Sequence, residues 1–215
     1  DLFLSPCKSA ETIEALSACI AHEIRDWTTL LYTANSQICA PLWFVRMNQE
    51  GLLPRLPSDL QKYLHHLHQA NTERNQAFQT AIQEIYTQLN KLQITAILLK
   101  GGAAFCDHLY GDAGARIVGD LDLLVQPQHA DRLQKLLMDL GYDAQPDCFT
   151  GFQGYFNNYT GHHLPRLVKP GTPVVVEIHF EMGMGQAARV LSSEFAWKNT
   201  QTLAFEGLSL PVLTP

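Results

Sequence analysis

The run Gly119-Asp120-Leu121-Asp122-Leu123-Leu124-Val125 limits what this chain can fold into more than any other feature. It is apolar enough to be a buried strand, yet it carries carboxylates at two alternate positions. Strand side chains alternate between faces, so Asp120 and Asp122 share one side while Leu121 and Leu123 point into a core. Two such acids repel one another and resist burial unless a cation lies between them, and the run itself supplies none. The cation that suits two carboxylates is hard and oxygen-preferring, magnesium or manganese. Downstream, Val174-Val175-Val176-Glu177-Ile178-His179-Phe180 reads as a second buried strand whose alternation places Glu177 and His179 together, so a third carboxylate is available. The opposing reading is a sheet whose polar face simply packs under the helical half. In that case the acids should have basic partners.

Upstream, the apolar strand Ile97-Leu98-Leu99 runs through Lys100 into Gly101-Gly102 and then a short helix from Ala103. Glycines let backbone approach an anion, and a helix start presents free N–H groups. The order strand, Gly-Gly, helix, Asp-x-Asp strand, later acidic strand resembles the nucleotidyltransferase superfamily of the DNA polymerase beta type. More closely, Leu99-Lys100-Gly101, Tyr110, Arg116, Gly119 to Val125, Leu140-Gly141-Tyr142, His163-Leu164-Pro165 and Glu177-Ile178-His179-Phe180 resemble the bacterial "uncharacterised nucleotidyltransferase" family, over nearly the whole chain.

The resemblance implies an α+β fold, with a helical N-terminal region (1–92) packed on a small mixed-sheet, polymerase beta-like nucleotidyltransferase domain (93–215). It implies transfer of NMP from an NTP, ATP by default, to a hydroxyl acceptor, with release of pyrophosphate. Asp120, Asp122 and Glu177 would be the catalytic and metal-holding residues, with magnesium or manganese as cofactor under two-metal logic. Glu177 would help to deprotonate the acceptor. Gly101 and Gly102 would hold phosphates, Lys100 would stand near the triphosphate, and Arg116 would neutralise a phosphate or form a surface ion pair with Asp112 or Asp120. The superfamily often has Gly-Ser where this chain has Gly101-Gly102, so a hydroxyl contact to phosphate is missing. His163 and His179 are candidates for contacting the acceptor or orienting Glu177. Replacing Asp122 by Asn is expected to leave metal-free stability equal or higher, because repulsion is relieved. A nucleotide- or protein-binding module with weak catalysis is the alternative function.

A net charge of −6 and a pI near 5.8 argue against broad nucleic-acid or anionic-membrane binding. The five cysteines are scattered, without a C-x-x-C pair, so neither a disulfide framework nor a zinc ribbon is indicated. No apolar run approaches the ~20 residues of a membrane span, and a soluble, cytoplasmic protein is expected. The start at Asp1 and the connector-like end, Leu210 to Pro215, suggest a piece of a longer chain, with a C-terminal helical segment to follow.

Helical periodicity covers Ala10–Leu16, Trp27–Ala34 and Ala40–Glu50. A long helix starts at Ser58 as N-cap, with its apolar stripe interrupted at Asn71-Thr72-Glu73-Arg74-Asn75. His65, His66 and His68 read as a solvated face. Beyond Ile94 the pattern predicts strands 94–99, 120–125 and 174–180, and a helix 129–140 closed by Gly141. Ser192 or Ser193 caps a short helix, and a hairpin turns at Glu206-Gly207. The stretch 143–173, with His162, His163, Arg166, Lys169 and aromatic Phe152, Tyr155, Phe156 and Tyr159, reads as a long loop bordering the acids.

Overall fold

A computed structural model describes residues 9–145, 162–183 and 192–214. It is mixed α+β, with a helical N-terminal half followed by a seven-stranded sheet. Helices α1 (Ala10–Ala18), α2 (Trp27–Ser36), α3 (Ala40–Gln49) and α4 (Ser58–Leu92) come first. A π-helical turn, Cys19–Glu23, and a 3-10 turn, Leu53–Arg55, join them. There follow β1 (Ile97–Leu98), α5 (Lys100–Cys106), β2 (Leu121–Leu124), α6 (Pro127–Asp139), β3 (Asp143–Ala144), β4 (Leu167–Val168), β5 (Val175–His179), α7 (Ser193–Lys198), β6 (Thr200–Phe205) and β7 (Leu208–Leu213). No helix among the described residues is long and apolar enough to cross a membrane.

The chain divides into two compact units, residues 1–76 with 110–117 and residues 77–109 with 118–215. The first has its own core, in which Trp43 is buried and stacks on Trp27 at 6.3 Å between centroids, beside Leu16, Met47 and Leu64. The long helix enters this unit one residue off the sequence expectation: the Gln61 N–H donates to the Pro57 carbonyl, so Ser58 is already helical. The polar interruption of its stripe has a structural use. Asn71 and Asn75 are both buried, and Asn71 Nδ2 donates to the Gly114 carbonyl at 2.7 Å. Asn75 Nδ2 donates to the carbonyls of Ala113 and Arg116 at 2.6 and 2.7 Å. His68 belongs to this clamp and not to a solvated face, since its Nε2 lies 2.7 Å from the Asp112 carboxylate. Gly114 has no alternative: a Cβ there would stand 2.3 Å from Thr72 Oγ1.

In the second unit the strand order is β3-β4-β5-β2-β1-β7-β6, with β2 parallel to β5 and β1 parallel to β7. Leu98, Leu121, Leu123, Val176 and Ile178 pack on one face with Ile82, Ile85 and Leu89 of α4 and Leu133 and Leu137 of α6. The opposite face holds a smaller cluster of Ile97, Leu99, Leu124 and Ala196. Helix α6 ends as the sequence predicts: Gly141 takes φ +86°, and the Tyr142 N–H returns to the Leu137 carbonyl, a Schellman closure. Ser192 caps α7 by accepting from the Phe195 N–H. Glu206 and Gly207, both with positive φ, turn the β6–β7 hairpin. For 143–173 the sequence also admits a hairpin that extends the sheet, and β3 and β4 pair in that way. They turn the ends of the expected long loop into an antiparallel extension of the sheet beside β5.

Candidate functional site

Register turns the two acidic strands into one site. Strands β2 and β5 pair Leu121 with Val176, Asp122 with Glu177, Leu123 with Ile178 and Leu124 with His179. Leu121, Leu123 and Ile178 fill the larger core, so Asp122, Glu177 and His179 emerge together on the other face. Asp122 is buried, and its Oδ1 accepts from Lys100 Nζ at 2.6 Å and from His179 Nε2 at 2.7 Å. Its Oδ2 is buried without a hydrogen-bond partner. Glu177 Oε1 accepts from Arg166 Nε at 2.5 Å, and Oε2 lies 3.4 Å from His179 Nε2.

The two aspartates answer differently to this environment. Burial alone would raise Asp122, but the hydrogen bonds from His179 and Lys100, and their charges, outweigh it and hold the carboxyl below its ordinary range. Asp120 is half-buried and lacks such donors. Burial, then the charges of Asp122 and Glu177, push its carboxyl up against the opposing pull of Lys100 and Arg166. The expected mutual repulsion is therefore present, and it falls on Asp120.

The expectation that no cation pairs the acids is corrected, because Lys100 and Arg166 do so. Both cations come from side chains that are 61 % exposed, whereas the carboxylates they meet are 1 % and 7 % exposed. A long side chain so exposed, such as that of Lys100, can swing from the carboxylate into solvent. Lys100 also holds left-handed backbone, φ +48°. That conformation costs a non-glycine residue about 1–2 kcal/mol and persists where the surroundings dictate it. Gly101 and Gly102 occupy the first turn of α5, and a Cβ on Gly102 would stand 2.9 Å from Leu98 Cδ1 and 3.3 Å from Leu121 Cδ2. Close packing of α5 on β1 and β2 thus accounts for Gly102.

The described end of the 143–173 segment borders the acids. His163 bridges to His179 in antiparallel fashion, and its Nδ1 donates to the Leu164 carbonyl at 2.7 Å. The rings of His162, His163 and His179 stand 4.6 to 5.4 Å apart. Burial first, then its neighbours His163, His179 and Lys100, lowers the proton affinity of His162, which favours a neutral ring. Lys169 pairs instead with Glu84 at 2.5 Å. Phe152, Tyr155, Phe156 and Tyr159 lie outside the described residues. Arg116 belongs to the other unit, where its guanidinium lies over the Tyr110 ring, 5.5 Å from the centroid. Its surface partner is therefore Tyr110, not Asp112 or Asp120. Sequence reasoning missed Arg166 as a partner of Glu177. The signal was its position immediately before Leu167-Val168, but nothing in the pattern fixed the register of that short strand.

Asp122, Glu177 and His179 each offer a ligand atom, and these atoms all lie within 4.8 Å of one another. A buried carboxylate oxygen left without a partner costs more than the ~1–3 kcal/mol of a neutral group, and a bound cation removes that cost. Oxygen and nitrogen donors in this arrangement fit a divalent ion.

The resemblance drawn from the sequence is met by a family model. The sequence model of the "Uncharacterised nucleotidyltransferase" family matches residues 23–215. The chain belongs to that family. Among solved structures it is similar to a candidate nucleotidyltransferase from Thermotoga maritima, at 13 % identity and TM-score 0.45, over 64 % of this chain and 77 % of that one. It is also similar to an antigenic nucleotidyltransferase-like protein from Paracoccidioides brasiliensis, at 20 % identity and TM-score 0.38, over 64 % of this chain and 60 % of that one. No curated protein matched the sequence.

Proposed function

We propose that this chain is a metal-dependent nucleotidyltransferase that moves NMP from an NTP to a hydroxyl acceptor and releases pyrophosphate. The observation that carries the reading is the buried Asp122 Oδ2, without a partner, on a carboxylate placed opposite Glu177 across parallel strands. Asp122 and Glu177, with Asp120 beside them, hold the metal. Magnesium or manganese bound there supplies charge neutralisation for phosphate oxygens. Lys100, released from Asp122, reaches the triphosphate as a point charge on a flexible stem. Gly101 in the first turn of α5 adds no side chain there and lets backbone N–H groups approach the phosphates, while Gly102 serves the packing of α5 on Leu98 and Leu121. Glu177, beside the metal, would help to deprotonate the acceptor hydroxyl. Such transfer depends on positioning and charge more than on covalent help.

A second reading, a nucleotide-binding module with weak catalysis, is favoured by one observation: Lys100 and Arg166 already neutralise Asp122 and Glu177. Incubation of the full chain with each labelled NTP, divalent metal and a cell extract separates the two. Label that enters an acceptor fraction, and fails to do so with Asp122→Asn, supports the enzyme. Nucleotide retained on the chain with no transferred label supports the module.

A further inference from the structure

His179 stands where a ligand would stand. Its Nε2 lies 2.7 Å from Asp122 Oδ1 and 3.4 Å from Glu177 Oε2. Donors that share one ion at bonds of ~2.0–2.2 Å are spaced by ~2.8–3.6 Å, whether they span an octahedral or a tetrahedral edge. The imidazole nitrogen thus stands at about that separation from an oxygen of each carboxylate. The imidazole is 3 % exposed and fixed on β5, which is paired to β2 on one side and bridged by His163 on the other. Lys100, by contrast, is free to leave. Once it does, Asp122 keeps two things: a nitrogen donor beside Oδ1, and Oδ2 without a partner.

We infer that His179 Nε2 is a direct metal ligand, so that Asp122, Glu177 and His179 form a one-imidazole, two-carboxylate site that takes manganese or another first-row transition ion in preference to magnesium. This rests on the proposed function only in that a divalent ion binds at these acids. Magnesium gains little from a nitrogen donor and gives up its waters reluctantly, whereas imidazole suits transition ions. His163 stands apart from this set: the ligand atoms that lie within 4.8 Å of one another belong to Asp122, Glu177 and His179, and the His163 ring centroid lies 5.3 Å from that of His179.

The test uses the full chain, stripped of metal, with manganese alone and magnesium alone titrated by calorimetry, and with pulsed EPR of the manganese-loaded chain. Manganese should bind about 10-fold or more tightly than magnesium, and its spectrum should carry nitrogen hyperfine coupling. The coupling should persist in His162→Asn and vanish in His179→Gln, where the side-chain oxygen replaces the nitrogen and the preference for manganese collapses. Because the coupling is read on the unaltered chain, it does not depend on the variants folding. Manganese bound without nitrogen coupling overturns the inference and leaves the nucleotidyltransferase reading standing. Failure of both ions to bind, with or without ATP, overturns both.

Discussion

The two units each bury a polar cluster, and the clusters solve that problem in opposite ways. In the first, neutral amides of Asn71 and Asn75 donate to the backbone carbonyls of Ala113, Gly114 and Arg116. In the second, the carboxylates of Asp122 and Glu177 draw cations from mostly exposed side chains, Lys100 and Arg166. Each leaves one buried oxygen without a hydrogen bond, Asn71 Oδ1 and Asp122 Oδ2. The amide oxygen is neutral, and its cost is modest; the carboxylate oxygen carries charge, and its cost is larger. A polar cluster tied to backbone can only hold a loop in place. One tied to a long exposed side chain such as Lys100 can exchange that partner for a ligand, and that difference is why we propose chemistry at the second.

The largest effect expected is on transfer of label by Asp122→Asn, which should fall by about 100-fold or more, the scale of losing one charge-stabilising group. Its metal-free stability should also fall, by about 1–3 kcal/mol, as hydrogen bonds to a charged acceptor weaken. This reverses the sequence expectation, because Asp122 is paired while Asp120 bears the repulsion. Unchanged urea denaturation of the variant would show that the ion pairs are ornamental.

Asn75→Ala tests the other side of the comparison. It leaves two carbonyls without their donor, so chemical denaturation should show a loss of about 2–4 kcal/mol. A loss well under 1 kcal/mol would mean that water replaces the amide and that the clamp holds nothing.

Magnesium or manganese with ATP, at ~100-fold above its dissociation constant, should stabilise the chain by ~2.7 kcal/mol and raise its melting temperature by about 5–10 °C. Asp122→Asn should abolish that rise. A ligand-independent melting temperature would place the acids in the same purely structural class as the asparagines.

The smallest effect should come from Asp120→Asn in metal-free protein. The native pKa of Asp120 is raised, so its ionisation disfavours the fold. The variant should be slightly more stable near pH 7, and its advantage should disappear as pH falls below the unfolded pKa of about 3.9. Asp122 has the opposite sign: its depressed native pKa contributes stability above the unfolded value, lost as pH falls through the native one. Parallel acid titrations of the two variants would expose this contrast, and equal signs would refute it.

Much of this was legible before any coordinates. Alternation alone placed Asp122 and Glu177 on the polar faces of strands, the turn residues Gly141 and Glu206-Gly207 closed the elements they were expected to close, and the apolar spacing of α4 gave a single long helix. What stayed hidden were contacts that depend on register or on very short elements. Strands β3 and β4 have two residues each, too few to show a period, so Arg166 could not be placed beside Glu177. Asn71 and Asn75 looked like a flaw in a helix stripe because their partners lie some 40 residues away in sequence. Lys100 was read as a phosphate contact, and nothing in its neighbours announced a bond to Asp122.

The parallel pairing of β2 with β5 also bears on how the chain reaches its working state. Asp122 and Glu177 meet across a chain separation of roughly 50 residues, so their encounter closes a long loop and contributes little to early collapse. A slip of one residue in that pairing would turn Glu177 and His179 to the apolar side and Ile178 outward. A chain paired out of register would lack the set of Asp122, Glu177 and His179, so the appearance of metal affinity over time during refolding would time the formation of this pairing.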